Sequence, residues 1–293
     1  MKNFFKIGLF GDGVWSHKLI NLIRFNKNTR LLFICKRFKT SDHEINNLAA
    51  KYKIPLHSFK DINSKKAIEK IKKYDCDIFL SMSYDQIFKK GIISLPRQKI
   101  INCHAGHLPK YRGRNVINWA IINGETKFYI TIHYINERID TGPILLRKKF
   151  NISKKDTYQS VLKKAEKHCP NLLFNVAKKI LNGSKLKKIY QSKNNPNTRY
   201  YFKRIRGDEV INFNAKSKQI HNFIRALSHP KLYAILMIKN NRYKIISSKL
   251  LNTKLNSIES KIIPGVILET KKNFFDVKSQ DNKIRLFFKK TQI

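Results

Sequence analysis

The sequence predicts an α/β protein: a mainly parallel, Rossmann-like sheet with helices on both faces, followed by a small C-terminal β-barrel. Two observations carry this. Up to Phe150, short apolar runs alternate with segments of helical period, the pattern of parallel strands joined by crossover helices. From Arg204 onward the pattern changes to short β-type runs separated by turn residues, as in a small barrel. A chain of 293 residues with 42% apolar content has enough material for filled cores in one large or two ordinary domains. The expected division is 1–185, a linker over 186–203, and 204–293.

Each element has its own signal. Phe4–Phe10 is an apolar run that reads as a buried strand; it turns at Gly11-Asp12-Gly13 into a helix over Trp15–Phe25. A strand at Leu31–Cys35, a helix over Asp42–Tyr52 and a short strand at Pro55–Phe59 follow. The helix Ser64–Lys73 and the strand Asp77–Ser81 continue the alternation. Next come a strand ending in Asn102-Cys103-His104, a polar loop through Arg112-Gly113, a strand at Tyr129–Ile135 and another at Ile144–Phe150. Lys154–Leu181 has a long helical pattern, and 182–199 is polar and poor in apolar residues, as linkers are. Beyond it, Ser217–Leu227 carries Ile220, Phe223 and Ile224 on one stripe. Five β-type runs close the chain: Tyr233–Ile238, Tyr243–Ile246, Gly265–Leu268, Phe274–Val277 and Ile284–Phe288. Turns such as Lys239-Asn240 and Pro264-Gly265 separate them.

Composition narrows the function classes. The longest apolar runs fall far short of the roughly 18 residues a membrane span needs, and the N-terminus lacks the apolar core and cleavage site of a signal peptide. No membrane insertion and a cytoplasmic location are therefore expected. Four cysteines, Cys35, Cys76, Cys103 and Cys169, are widely spaced without Cys-x-x-Cys, so neither a disulfide framework nor a metal site is signalled. The formal net charge of +42 is the footprint of a polyanion partner. Its spread argues otherwise: +13, +15 and +14 for residues 1–100, 101–200 and 201–293. The abundance of Ile and Asn beside Lys fits compositional drift with a general affinity for anions. A dedicated RNA surface on a non-catalytic protein is the alternative.

In an open parallel sheet, ligands lie beyond the carboxyl ends of the strands. Gly11–Gly13, Ser81–Asp85, Asn102–His104 and the loop holding Asp140 should meet there. Gly8, Gly11 and Gly13 do not make a dinucleotide fingerprint: the spacing is G-x-x-G-x-G and no acidic residue ends the second strand. They serve a tight turn or an anion at a helix start. Asn102 and His104 are two apart, so on a strand their side chains share a face. Asp140 follows a second strand and can reach the His104 ring if the two strands end side by side. An amide, an imidazole and a carboxylate so placed can stabilise and deprotonate the adduct of an amine with a one-carbon carbonyl. His107 is expected to support the loop, and His133 to face outward on its strand.

The block from Asn102-x-His104 through Leu108-Pro109-Lys110-Tyr111-Arg112-Gly113 to Asp140-Thr141-Gly142 resembles the folate-dependent formyltransferases. Phe10-Gly-Asp-Gly, the segment Ser81–Ile87, Arg204–Leu227 and Pro264–Ile267 extend the similarity over nearly all of the chain. The resemblance implies Asn102, His104 and Asp140 as a catalytic trio and 10-formyltetrahydrofolate as co-substrate. It also implies an OB-like C-terminal barrel. The pterin would lie against Ser83, Tyr84, Asp85, Gln86 and Ile87 and against Ile135 and Glu137. Gly11, Asp12, Gly13, Tyr111 and Trp119 would face the acceptor, while Lys110, Arg112 and Arg114 either hold an anionic part of it or are solvated loop charges.

Within that family, Arg112-Gly-Arg-Asn-Val-Ile-Asn-Trp119 in the loop after the trio is similar to the enzymes acting on nucleotide-linked amino sugars. Cys35–Leu48 is short and lacks the basic insertion of the enzymes that act on methionyl-tRNA. A nucleotide-sugar acceptor is expected, for surface polysaccharide, with initiator tRNA as the alternative; a homodimer is compatible with either. The chain departs from the family pattern at Val116, Tyr129 and Pro143.

Overall fold

The computed structural model describes residues 4–192, 195–228, 233–238, 241–253 and 255–289. Its chain divides into two compact units: Met1–Gly113, Tyr129–Lys149 and Lys164–Tyr200 form one, and Arg114–Phe128, Phe150–Lys163 and Tyr201–Ile293 the other. Up to Tyr201 the elements are β1 (Phe5–Gly11), α1 (Gly13–Arg24), β2 (Thr29–Cys35), α2 (His43–Lys51), β3 (Leu56–His57), α3 (Lys65–Lys72), β4 (Ile78–Met82), α4 (Lys90–Ile93), β5 (Ile100–His104), β6 (Arg112–Gly113), α5 (Val116–Ile122), β7 (Lys127–Tyr134), β8 (Ile144–Asn151), α6 (Tyr158–Leu181) and β9 (Tyr200–Tyr201). No described helix is long and apolar enough to cross a membrane.

A seven-stranded sheet runs in the order β3-β2-β1-β4-β5-β7-β8. The pairs from β3 to β5 are parallel, and β7 is antiparallel to β5. Strand order reverses between β1 and β4, which opens a crevice at the carboxyl ends of those strands. Every residue of β4 is buried, as expected for an apolar run covered on both faces. Phe10, Phe33 and Phe79 meet edge to face at 5.3–5.5 Å between ring centroids, contacts worth about 0.5–1.5 kcal/mol each beyond area burial. A Cβ on Gly8 would lie 2.4 Å from the Phe33 ring, so this glycine is what lets the aromatic layer close on β1.

The boundaries differ from expectation where local hydrogen bonding overrides the apolar pattern. Asp12 caps α1 by accepting from Gly13 N, so the helix starts two residues before Trp15. The strand expected over Pro55–Phe59 shrinks to two residues at the sheet edge, where Pro55 has no N–H to give. α6 starts at Tyr158 rather than Lys154: Asp156 accepts from Ser153 N at 2.7 Å and from Ser160 Oγ at 2.6 Å, which holds the preceding residues in a turn. The stretch after Gly113 was expected as loop, yet α5 forms over Val116–Ile122 because Val116, Ile117, Ala120 and Ile121 make a buried stripe.

After Tyr201 come α7 (Ser217–Ala226), β10 (Ala234–Ile238), β11 (Asn241–Leu250), α8 (Ser257–Lys261), β12 (Ile267–Thr270), β13 (Phe274–Lys278) and β14 (Lys283–Lys289). The strands make one antiparallel sheet in the order β10-β11-β14-β13-β12. The small barrel is thus a half-barrel. Ile220 and Ile224 of the α7 stripe, with Leu227 just after the helix, pack with Leu236, Ile245, Val277 and Leu286. α8 had no apolar signature; it is nucleated by an Asn256–Glu259 capping box. The Lys239-Asn240 turn and residues 193–194 of the expected linker lie outside the described residues.

Candidate active site

Asn102 and His104 close β5, and the antiparallel register sets Asn102 opposite His133 and His104 opposite Thr131. Directly opposed residues share a face of the sheet. His133 is therefore not the outward-facing residue expected from alternation: it is 2% exposed, because residues 130–133 of β7 are buried on both faces of the sheet. Its Nδ1 lies 2.8 Å from the Tyr134 carbonyl, which can only accept, so that nitrogen carries a proton. Its Nε2 lies 3.1 Å from Asn102 Nδ2. One amide N–H of Asn102 is held in this way, and the other points elsewhere.

His104 is buried, with Nε2 at 2.6 Å from the Tyr111 carbonyl and Nδ1 at 3.5 Å from Asp140 Oδ2. Both ring nitrogens face acceptors, so each is placed to donate. The loop that returns Tyr111 to the ring is tight: a Cβ on Gly106 would sit 2.4 Å from His104 Nε2. Thr131 Oγ1 donates to the Gly106 carbonyl at 2.6 Å and ties the loop to β7. His107 stacks on Tyr129 at 4.1 Å and lies 3.2 Å from Arg147 Nη1. It supports the loop as expected.

Asp140 sits in the turn between β7 and β8 with φ of +52°, a left-handed conformation uncommon outside glycine though better tolerated by asparagine and aspartate than by other residues. Its Oδ2 accepts from Gly113 N at 2.8 Å, and its Oδ1 lies 3.5 Å from His133 Nε2. Burial pushes the carboxyl up, but the charge on His104, the hydrogen bond and charge of His133 and the Gly113 amide outweigh it. The net position is well below the usual carboxylate range. Asp140 is thus a buried carboxylate, ionised at neutral pH, touching both histidines.

The residues expected to hold a pterin fall in two places. Tyr84 and Ile135 pack on the same aromatic cluster as Phe10, Phe79 and Phe88. Ser83 turns the chain with φ of +57°, and Ile87 is exposed. Gln86 spends its side chain on the loop before α3, donating to the Phe59 carbonyl and accepting from Ile62 N, both at 2.8 Å. Asp85 and Glu137 lie on the surface. Among the described residues no group of three or more His, Cys, Asp or Glu could hold a metal ion.

The expected acceptor residues are scattered. Gly13 N donates to Asp12 Oδ1 at 2.8 Å and to Asp42 Oδ2 at 2.7 Å, so an anion at the start of α1 finds that amide already occupied. Asp12 also pairs with Arg37 at 2.5 Å. Tyr111 and Arg112 are buried and Lys110 is half-buried. The Arg112 guanidinium bonds Gln191 Oε1 at 2.8 and 3.3 Å and Tyr200 Oη at 2.9 Å. Arg114 and Trp119 belong to the other unit, where Trp119 packs beside Tyr201 and under the Arg204 guanidinium. Sequence reasoning missed His133 as a partner of Asn102, and it missed Gln191, whose polar surroundings read only as a linker.

Comparison with known proteins sets this geometry in context. Residues 32–177 match the family model described as formyl transferase, and 205–292 match the formyl transferase C-terminal domain. The chain is 30% identical over 244 residues to a methionyl-tRNA formyltransferase of Thermodesulfovibrio yellowstonii, covering 83% of this chain and 75% of that protein. It is 33% identical over 218 residues to the bifunctional polymyxin resistance protein ArnA of Wigglesworthia glossinidia brevipalpis, and spans about a third (32%) of that longer protein. Among solved structures it is similar to WlaRD, a sugar 3N-formyl transferase crystallised with dTDP and 5-N-formyl-THF. That match has a TM-score of 0.75 and 25% identity over 99% of this chain and 100% of the other. An N-formyltransferase from Helicobacter canadensis, crystallised with folinic acid and dTDP-3-aminofucose, shares the fold with a TM-score of 0.74 at 22% identity, over 98% of this chain and 100% of the other.

Proposed function

This chain belongs to the formyl transferase family and is a folate-dependent formyltransferase, and from that premise we propose that its acceptor is the amino group of a nucleotide-linked amino sugar. The observation that carries the acceptor is the match to a sugar 3N-formyl transferase over 99% of this chain and the whole of the other. The segment Arg112–Trp119 points the same way. The reaction is assigned to the cytoplasm.

When bound, 10-formyltetrahydrofolate supplies an activated formyl carbon. The chain's own residues then have three tasks. Asn102, with one amide N–H fixed on His133, offers the other to an oxygen that gains negative charge; such a preorganised donor is worth roughly 2.7–4 kcal/mol. His104 has both nitrogens committed, to Tyr111 and towards Asp140, so its contribution is the positive charge of the ring rather than a free N–H. Asp140 orients the ring and holds that charge; taking the proton of the attacking amine through a water is its alternative role, for which a carboxylate held so far below its usual range is a weak base. The segments Ser83–Ile87 and Ile135–Glu137 would hold the pterin, with Tyr84 and Ile135 anchoring its wall on the Phe10 cluster.

A second reading, methionyl-tRNA as acceptor, is favoured by the identity to methionyl-tRNA formyltransferases. The two separate in one assay. Purified chain with 10-formyltetrahydrofolate is offered dTDP-linked 3-amino and 4-amino sugars in parallel with methionyl-tRNA, and released tetrahydrofolate and formylated product are measured. Turnover on an amino sugar with none on charged tRNA is expected; the reverse would remove the sugar reading. Binding of RNA without any formyl transfer would favour a non-catalytic role.

A further inference from the structure

We infer that Gln191 is a positioning residue of this enzyme, whose side-chain amide clamps the turn at Asp140 and so sets the carboxylate against His104. This rests on the reading that Asp140 serves the reaction. Gln191 Nε2 donates to the Asp140 carbonyl at 2.9 Å and to the Gly142 carbonyl at 2.7 Å, so one NH₂ group spans the turn. The amide orientation is fixed by its neighbours: Arg112 can only donate, and bonds Oε1 at 2.8 and 3.3 Å, while both carbonyls can only accept.

The turn needs such a clamp. Asp140 has φ of +52°, which costs free energy that surrounding contacts must offset. Gly142 is pressed against β7 so closely that a Cβ would fall 1.8 Å from the Tyr134 carbonyl oxygen. Gln191 reaches the turn because its own segment is pinned: Ile189 and Ile144 exchange backbone hydrogen bonds at 2.8 and 2.9 Å. The Arg112 side that grips Gln191 continues into Gly113, whose amide holds Asp140 Oδ2. Backbone and carboxylate of Asp140 are thus gripped by one connected set, and Gln191 is the member that spans the turn.

The test compares Gln191→Met, which removes both ends of the clamp, with Gln191→Glu, which keeps an acceptor for the Arg112 guanidinium and removes the donors. Since a misplacement of about 1 Å at a reacting group costs on the order of 10²-fold, both variants should lose at least about tenfold in kcat, with KM for formylfolate and amine changed less than about twofold. In histidine-labelled full-length protein, the His104 ring nitrogen resonances should move towards those of Asp140→Asn. Wild-type kcat in both variants would overturn the proposal. So would a fall seen with Glu alone, which reports the added charge, or a fall with the His104 resonances unmoved, which reports action by another route. If Asp140→Asn keeps full turnover, the reading of Asp140 fails instead, and that arm distinguishes the two.

Discussion

At the scale of single residues, the role proposed for Asn102 requires its amide to be turned one way, with Nδ2 towards the His133 ring. With Nδ1–H given to the Tyr134 carbonyl, His133 Nε2 lies 3.1 Å from Asn102 Nδ2 and 3.5 Å from Asp140 Oδ1; the neutral tautomer accepts from Asn102 and leaves it a second N–H for the proposed chemistry. Replacing Asn102 by Ala removes that donor and should slow turnover by roughly 10²-fold or more at saturating formylfolate, with little change in KM. Steady-state kinetics showing near-normal kcat would take Asn102 out of the mechanism. The approach of Asp140 to the His104 ring at the end of the strand that carries Asn102 was legible in sequence, because strand spacing and an exacting motif speak together. His133 was not: alternation says outward for a half-covered strand, and only the fold shows residues 130–133 of β7 buried on both faces. Gln191 had no local signal at all, since its partners lie 49 and 51 residues away.

At the scale of elements, strands β1, β2, β4 and β5 were readable as apolar runs because a parallel sheet covered on both faces leaves few polar positions. Ends and small elements were harder. Caps at Asp12 and Asp156 moved helix starts, and the two-residue pair β6 and β9 is too short to leave a period. The turn from β7 to β8 shows how an element carries the site. A methyl group at Gly142 meets the Tyr134 carbonyl oxygen at 1.8 Å, so the backbone must shift within two residues of Asp140. Gly142→Ala should cost about 1–3 kcal/mol of stability and most of the turnover of the molecules that remain folded. Gly8→Ala is the matched control, since its Cβ meets the Phe33 and Phe79 rings at 2.4–2.7 Å in the aromatic layer. It should lose stability of the same order, about 1–3 kcal/mol, yet keep the kcat of the folded fraction. Melting temperatures paired with active-site titration separate these outcomes; equal kcat losses in both would mean the turn has no special bearing on the reaction.

At the scale of the whole molecule, 61 Lys and Arg face 19 Asp and Glu, so the few carboxylates carry more weight in acid than in a balanced protein. Asp42 is pushed up by burial, but Asp12, Gly13 and His17 outweigh this and bring it from 3.8 to about 2 in the fold. Asp140 is lowered as well. Depressed folded values mean that the unfolded chain binds more protons between the two, so this stability is whole above about pH 4 and drains as pH falls through about 2. A melting temperature that stays flat from about pH 5 down to about pH 3 would contradict it. Salt tests the positive side of the same imbalance. A polynucleotide acceptor gripped through 6–10 phosphates loses roughly 10³–10⁵ in affinity between about 50 and 200 mM salt. A sugar nucleotide brings only a diphosphate, so far fewer counterions are released when it binds. The kcat/KM for a dTDP-amino sugar should therefore fall by less than about tenfold over that range, while any binding of arbitrary RNA to the basic surface collapses. If formylation itself collapsed with salt as steeply as RNA binding, the acceptor would have to be a long polyanion, and the uniform +42 would be part of substrate recognition instead of drift.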